Sequence, residues 1–325
     1  MKKTITILAA LCMVVAANAT ILRVSNVQGS SAPYTSLEAA HDAAASGDTI
    51  MVEGSSTTYD NFTISKPIVL IGPGFFLLEN DIMKEAQNPA SFYFINVQKD
   101  AEGTVIEGVH VRNSLTTEAK HTVVKRCWIF DETSTGGGLA LNARNCVAHQ
   151  NFVGNISTRA FYVDDYNDQI TNNIILGGIG SIGGSYIAYN TFIVDLYYDT
   201  DEAEDRLESC FANVITSTIE HNIISRMDIV TNGWNDIDTN SFNDNFVYGP
   251  KKEGQIIGWS RDLIDTQVKE ATQTHTEAGY GAFAGADPYV LSGIPSGPII
   301  TDIEMPVSVE MGSKLNVTIK VDISR

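Results

Sequence analysis

The chain has 325 residues, 39 acidic against 21 basic side chains, a net charge of −18 and 43% apolar residues. Such a charge repels nucleic acid and anionic lipid, and it repels polyanionic glycans unless a divalent cation bridges them. Neutral polysaccharide or cell-surface glycan, or an acidic glycan bridged by calcium, fits it as a partner.

The first residues have the form of an export signal. Lys2 and Lys3 precede an apolar run from Ile5 to Ala16, and Ala17-Asn18-Ala19 makes a small-x-small cleavage site. Cleavage after Ala19 is expected to release a secreted, periplasmic or cell-surface protein. The run is shorter than the ~20 apolar residues that span a bilayer, so no membrane span is expected there, and no later segment is long enough. Removing Cys12 with the signal leaves Cys127, Cys146 and Cys210, an odd number that excludes a fully paired disulfide framework. All three read as small fillers of a core.

In chain order, a short strand is predicted around Ile21 to Val24. A helix follows, with Thr35 and Glu38 as a capping box, Leu37, Ala40 and Ala44 on one apolar face, and Gly47 as its end. Strands are expected at Asp48 to Glu53, near Ile64, and at Ile68 to Ile71, separated by turn-rich stretches. The helix would cap the open end of a stack of strands, which otherwise exposes backbone groups and apolar side chains.

The middle of the chain repeats a seven-residue phrase: VKRCWIF, VAHQNFV, ITNNIIL, IAYNTFI and IEHNIIS, starting at Val124, Val147, Ile170, Ile187 and Ile219. Weaker copies start at Ile106 and Ile237. The period wobbles in the low twenties, the mark of a stacked-coil solenoid. The fourth position is compact and polar, so Gln150, Asn173, Asn190, Asn222 and Asn240 are expected to form a ladder at ~4.8 Å spacing inside a turn. Ile129, Phe152, Ile175, Phe192, Ile224 and Phe242 would stack beside it. A third strand is predicted in each coil, at Leu139 to Leu141, Phe161 to Val163, Ser181-Ile182, Val214-Ile215 and Ile229-Val230, after connections of very different length.

The stretch SLEAAHDAAASGDTIMVEGSSTTYDNFTISKPIVLIGPG resembles the opening of right-handed parallel β-helix proteins of the pectin lyase-like superfamily, in which a short helix leads into a GDTI strand, a tyrosine turn and a KPI-L-G coil. The segment FAGADPYVLSGIPSGP resembles the ending of secreted β-helix proteins from Bacteroidetes. The resemblance implies an all-β, single-stranded right-handed parallel β-helix of three short strands per coil, with a ligand groove along the third strands between variable loops. The expected organisation is a signal peptide at 1–19, a β-helix with its N-terminal capping helix at 20–290, and a C-terminal β-hairpin tail at 291–325. In that tail Val307 and Val309 would pair with Leu315 to Ile323 around Gly312-Ser313. A monomer is expected.

Candidate site residues gather where the repeat breaks. Asp164, Asp165 and Asp168, with Arg159 close by, border a third strand, and paired carboxylates act as acid and base on glycosidic bonds when suitably spaced. The bland reading of VDDYND is a solvated turn. Polygalacturonases of the superfamily carry NTD, paired-aspartate, GHG and RIK motifs, of which only Asp164-Asp165 is present. Tyr162, Tyr166, Tyr197, Tyr198 and Trp234 could stack on sugar faces. Asp199, Asp201, Glu204 and Asp205, in a long acidic loop, have the oxygen density for calcium but lack EF-hand spacing. No cofactor other than calcium is suggested. Three functions stay open: glycan binding along the groove, a polysaccharide lyase or glycoside hydrolase, and a structural surface protein.

Overall fold

Strands of two or three residues hold only when paired on both sides, and here each finds its partners about one repeat away in sequence. The computed structural model describes residues 19–79, 88–130, 138–158, 166–193, 210–224, 240–247, 264–306, 308 and 312–324. It is built mostly of parallel strands, with few and short helices.

One sheet, face one, runs in strict sequence order through ten parallel strands: Ile21–Val24, Thr49–Val52, Val69–Ile71, Val105–Glu107, Val123–Lys125, Val147–His149, Gln169–Thr171, Tyr186–Ala188, Thr218–Glu220 and Ser241–Asn243. The second sheet divides into two columns that share the long strand His110–Thr117. Face two continues from it through Trp128–Ile129, Phe152–Val153, Ile174–Ile175, Thr191–Phe192, Ile223–Ile224 and Phe246–Val247. Face three comprises Phe62–Ile64, Ser91–Val97, the far half of His110–Thr117, Gly138–Leu141, Asn155–Ser157, Ile179–Gly183 and Phe211–Ile215. A coil visits faces one, two and three in turn. Strand alternation sends Ile106, Val124, Ala148, Ile170, Ile187 and Ile219 inward from face one, where they join one continuous core with Ile129, Val153, Ile175 and Phe192 from face two and Leu115, Leu139, Ile156 and Val214 from face three.

The corner between faces one and two carries the expected ladder in a different register. Arg126, Gln150, Asn172, Tyr189, His221 and Asp244 all adopt left-handed backbone, with φ between 48° and 56°. Each costs roughly 1–2 kcal/mol, and the next residue repays it. Asn151, Asn173, Asn190, Asn222 and Asn245 each accept at Oδ1 from the backbone N–H of the preceding coil, at 2.8–3.0 Å. Each Nδ2 donates to a carbonyl of that coil, and the first four also donate to the next Oδ1. No amide valence is wasted, so the polar column can sit in the dry interior.

Gln150 and Asn240 therefore do not belong to this ladder, and Phe152 and Phe242 do not belong to the inner stack; Asn151 and Asn245 occupy the ladder places, and Val153 takes that of Phe152. The causes are a one-residue slip at VAHQNFV and, in the last copy, a start at Phe242, five residues later than Ile237. Val147 faces outward and Ala148 inward, so the copy starts at Ala148. For the same reason His149 lies on a strand and His221 in the corner.

A second corner, between faces three and one, has a shorter ladder. Cys146 N–H donates to Asp168 Oδ1 (2.7 Å), Asp168 N–H to Ser185 Oγ (3.2 Å), Ser185 N–H to Ser217 Oγ (3.1 Å) and Ser217 N–H to Asn240 Oδ1 (2.8 Å). Cys127, Cys146 and Cys210 are buried thiols outside any disulfide. Burial pushes the Cys127 and Cys146 thiols up to about 12, which leaves them unreactive.

Helix α1, Leu37–Ala43, starts one residue later than expected. Ser36 rather than Thr35 is its cap, accepting from Ala39 N–H, and Ala44 ends it, with Gly47 placed in the following turn. The third strand of the coil after Gln150 forms at Asn155–Ser157, and Phe161 to Val163 lie outside the described residues. The tail is a hairpin, but Gly297–Glu304 pairs with Thr318–Ser324, so the first strand precedes Val307.

After helices α2 (Asp265–Ala271) and α3 (Gln273–Glu277), the chain doubles back as a strap along the first corner. Gly281 N–H bonds His221 O, Asn172 Nδ2 donates to Ala282 O and Ala284 O, and Gln150 Nε2 donates to Asp287 Oδ1 and Pro288 O. Farther along, Arg126 Nη1 donates to Ile294 O, and Ser296 N–H to Glu107 Oε1. Glycine is needed at the two closest approaches. A Cβ on Gly281 (φ +81°) would lie 2.4 Å from Ile223 Cδ1, and one on Gly293 (φ +54°) 2.5 Å from Arg126 O.

Candidate functional site

The outward sides of the three faces differ in what the sequence puts there. Face two presents Trp128, Phe152 and Ile174, and the C-terminal segment seals them: Val268, Ala282, Tyr289, Phe283 and Leu291 form a second apolar cluster with them and Phe75. Face one presents Val69, Val105, Val123 and Val147 in its first half, then Gln169, Tyr186, Thr218 and Ser241, all partly or fully exposed. Face three presents mostly small or amide side chains, with Tyr93 and Phe94 as the exception.

On face three the register aligns Thr63, Asn96, Thr116, Ala140, Ser157, Gly180 and Ala212 in one outward column. A second column aligns Phe94, Ser114, Gly138 and Asn155. At ~4.8 Å per strand the first column is about 29 Å long. None of its side chains carries a charge, and those at its two ends, Thr63, Asn96, Ser157 and Ala212, are exposed. Hydroxyls, amides and bare backbone make a shallow floor that can hydrogen-bond a polar chain laid across the strands.

An aromatic pair flanks this floor. A register shift between Phe92 and Phe94 turns two successive side chains outward, so Tyr93 and Phe94 are 46% and 39% exposed, with ring centres 4.8 Å apart at 86°. These rings belong to no repeat or motif of the sequence. The signal was present in SFYFINV, because strict alternation cannot bury both Tyr93 and Phe94 beside Phe92 and Ile95.

Of the residues singled out from the sequence, Arg159, Tyr162, Asp164, Asp165, Tyr197, Tyr198, Asp199, Asp201, Glu204, Asp205 and Trp234 lie outside the described residues. Asp168 is buried as a rung of the second ladder. Its Oδ2 has no hydrogen-bond partner among the described residues, and burial raises its pKa to about 7. Asp48 provides the contrast. It occupies the matching place before its face-one strand, but its two oxygens accept from Thr20 N–H and Ala45 N–H, which hold its pKa below the usual value. Tyr166 is 5% exposed at the same corner, where its carbonyl accepts from Asn145 N–H. The structure thus brings Asp168 and Tyr166 together, but as packed corner residues.

The described residues contain no group of three His, Cys, Asp or Glu side chains placed to hold a metal ion, and no helix among them is long and apolar enough to cross a membrane. A pocket of about 650 Å³ opens at the N-terminal end, between α1 and the turn that leads into Phe62–Ile64. Thr63, the first residue of the floor column, lines it, as does Gln98, two residues beyond Asn96.

No family model matches the chain, and no curated protein or solved structure matches it.

Proposed function

We propose that the protein is a secreted right-handed parallel β-helix of the pectin lyase-like type, with the Bacteroidetes-like ending, that binds a neutral polysaccharide or cell-surface glycan along face three. One observation carries the reading: the uncharged outward column from Thr63 to Ala212, about 29 Å long, with the exposed Tyr93 and Phe94 beside it. A glycan laid across the strands would exchange hydroxyl hydrogen bonds with Asn96, Thr116 and Ser157 and stack a ring on Phe94. The net charge of −18 supports a neutral glycan, or an acidic one only with calcium. Binding needs no catalytic residue, and Asp168 has its one hydrogen-bonded oxygen committed to the Cys146 backbone. The protein acts as a monomer in this reading.

The test is retention of the purified protein in gels cast with xylan, glucan, mannan, polygalacturonate or alginate, with and without calcium. Retention by at least one neutral polymer without calcium is expected, weakened about tenfold by Phe94→Ala. Failure to be retained by any polymer would overturn the binding reading and favour a structural surface protein. Release of shortened chains during the run would make it an enzyme.

A further inference from the structure

We propose that the pocket at the N-terminal cap is a terminal subsite that holds the end unit of a neutral or amino-sugar chain. This deepens the glycan-binding reading and rests on it for the rest of the chain's path.

The pocket is concave where the floor is flat, and its volume of about 650 Å³ lies in the range of small-ligand sites. Its lining is rich in groups that recognise hydroxyls: Thr57, Thr58, Thr63 and Ser65, with the carboxylates of Glu38, Asp42 and Asp60. Two further lining side chains hold unspent valences of opposite kind. Asn26 donates from Nδ2 to Thr57 O and accepts nothing among the described residues at its buried Oδ1. His41, 6% exposed, accepts at Nε2 from Ser65 N–H, which places the neutral ring's proton on Nδ1, and Nδ1 has no partner among the described residues. Burial and the nearby Lys66 charge keep that imidazole neutral. A sugar hydroxyl both donates and accepts, so one ligand class answers both atoms.

The polarity of the site selects within that class. Among the described residues no lysine or arginine lines the pocket, and the adjacent Lys66 ammonium is occupied by the carbonyls of Ala44 (2.6 Å) and Asp42 (3.5 Å). Three carboxylates without a free cation reject uronate, sulfate and phosphate, and they accept hydroxyls or an ammonium. The chain's remaining units would leave over Thr63 onto the floor.

The test uses the full mature chain and four probes: xylohexaose, cellohexaose, mannohexaose and chitosan hexamer. Saturation-transfer NMR reports which sugar unit is held, and calorimetry reports affinity. Glu38→Gln with Asp42→Asn alters two exposed helix side chains, and Ala140→Trp blocks the floor. The expected result is transfer strongest at a terminal unit of one probe, lost in the double variant with affinity at least tenfold weaker, and kept at that unit in Ala140→Trp. If the double variant binds every probe as the wild type does while Ala140→Trp abolishes binding, the pocket proposal is overturned and the floor stands. If the terminal unit is held but no polymer is retained, the pocket stands and the floor reading fails. Absence of transfer from every probe overturns the pocket.

Discussion

Faces two and three are columns of the same sheet, share the strand His110–Thr117, and hang from the same coils, yet among the described residues one is sealed and the other open. Face two puts Trp128, Phe152 and Ile174 outward, and the chain spends its C-terminal segment covering them. Face three puts Ser114, Thr116, Ala140 and Ser157 outward, which need no cover. An apolar outer column demands a lid, whereas a small polar one leaves a surface for something else to occupy. The corners differ in parallel. The sealed side has a saturated asparagine ladder, and the open side has a mixed ladder with one carboxylate left half-partnered.

The strongest way to break the comparison is to attack what both faces share. Asn190→Ala would orphan the Asn173 N–H and take one donor each from Ile170 O, Ala188 O and Asn222 Oδ1, the last two of which keep the backbone N–H groups of Asn172 and residue 190. With a buried orphan costing about 1–3 kcal/mol and each further lost hydrogen bond about 0.5–1.5 kcal/mol, a loss above about 3 kcal/mol is expected in urea unfolding. A loss under about 1 kcal/mol would mean the ladder does not hold the coils.

Next comes the open corner. Asp168 has a folded pKa of about 7 against an ordinary 3.8, so its carboxyl is neutral in both states at low pH and burdens the fold once ionised. The penalty is absent below about pH 4, grows as pH rises, and is complete above about pH 7, reaching roughly 4 kcal/mol. Asp168→Asn keeps the acceptor for Cys146 N–H and should stabilise the protein at pH 8 by about 2–4 kcal/mol, with no gain at pH 4. Asp265, buried and raised to about 6, leaves a smaller slope of the same sign in the variant. An unchanged pH profile would remove Asp168 from the account.

The seal can be loosened separately. Gly281→Ala forces a Cβ against Ile223 and Thr191 at positive φ, which costs about 2–4 kcal/mol through strain and overpacking. Hydrogen exchange should rise in residues 264–296 and on face two, and less on face one. Uniform exchange would show that the strap is not a separable lid. The smallest effect on stability belongs to the floor: Ala140→Trp points outward and should change unfolding by less than about 0.5 kcal/mol while blocking the groove.

How much of this was legible in the sequence depended on the residue. The stacked architecture, the capping helix, the polar ladder and a terminal hairpin all follow from periodicity and punctuation, because each repeats or borders a recognisable signal. The register of two copies did not, because VAHQNFV offers apolar residues at both Val147 and Ala148, and the last copy offers an asparagine at both Asn240 and Asn245. Aligning on the asparagine and the two residues after it, from Asn151-Phe152-Val153 to Asn245-Phe246-Val247, resolves it. The strap was invisible, since GAFAGADPYVLSGIPSG matches no period and its contacts lie more than 50 residues away in sequence. The floor was hidden for the opposite reason: Ser, Thr, Ala and Gly look like filler until register lines them up. The pocket depends on α1 meeting a turn about twenty residues later, which no local motif records.

The central claim is that the outward column of face three, and not that of face one, engages a glycan. Its most direct test is a paired titration of Ala140→Trp and Val123→Trp, two outward substitutions on different faces, against the neutral polysaccharide that best retains the wild type. The account predicts that Ala140→Trp loses at least tenfold in affinity while Val123→Trp binds as the wild type does. Equal affinity for both variants, or loss only in Val123→Trp, would contradict it.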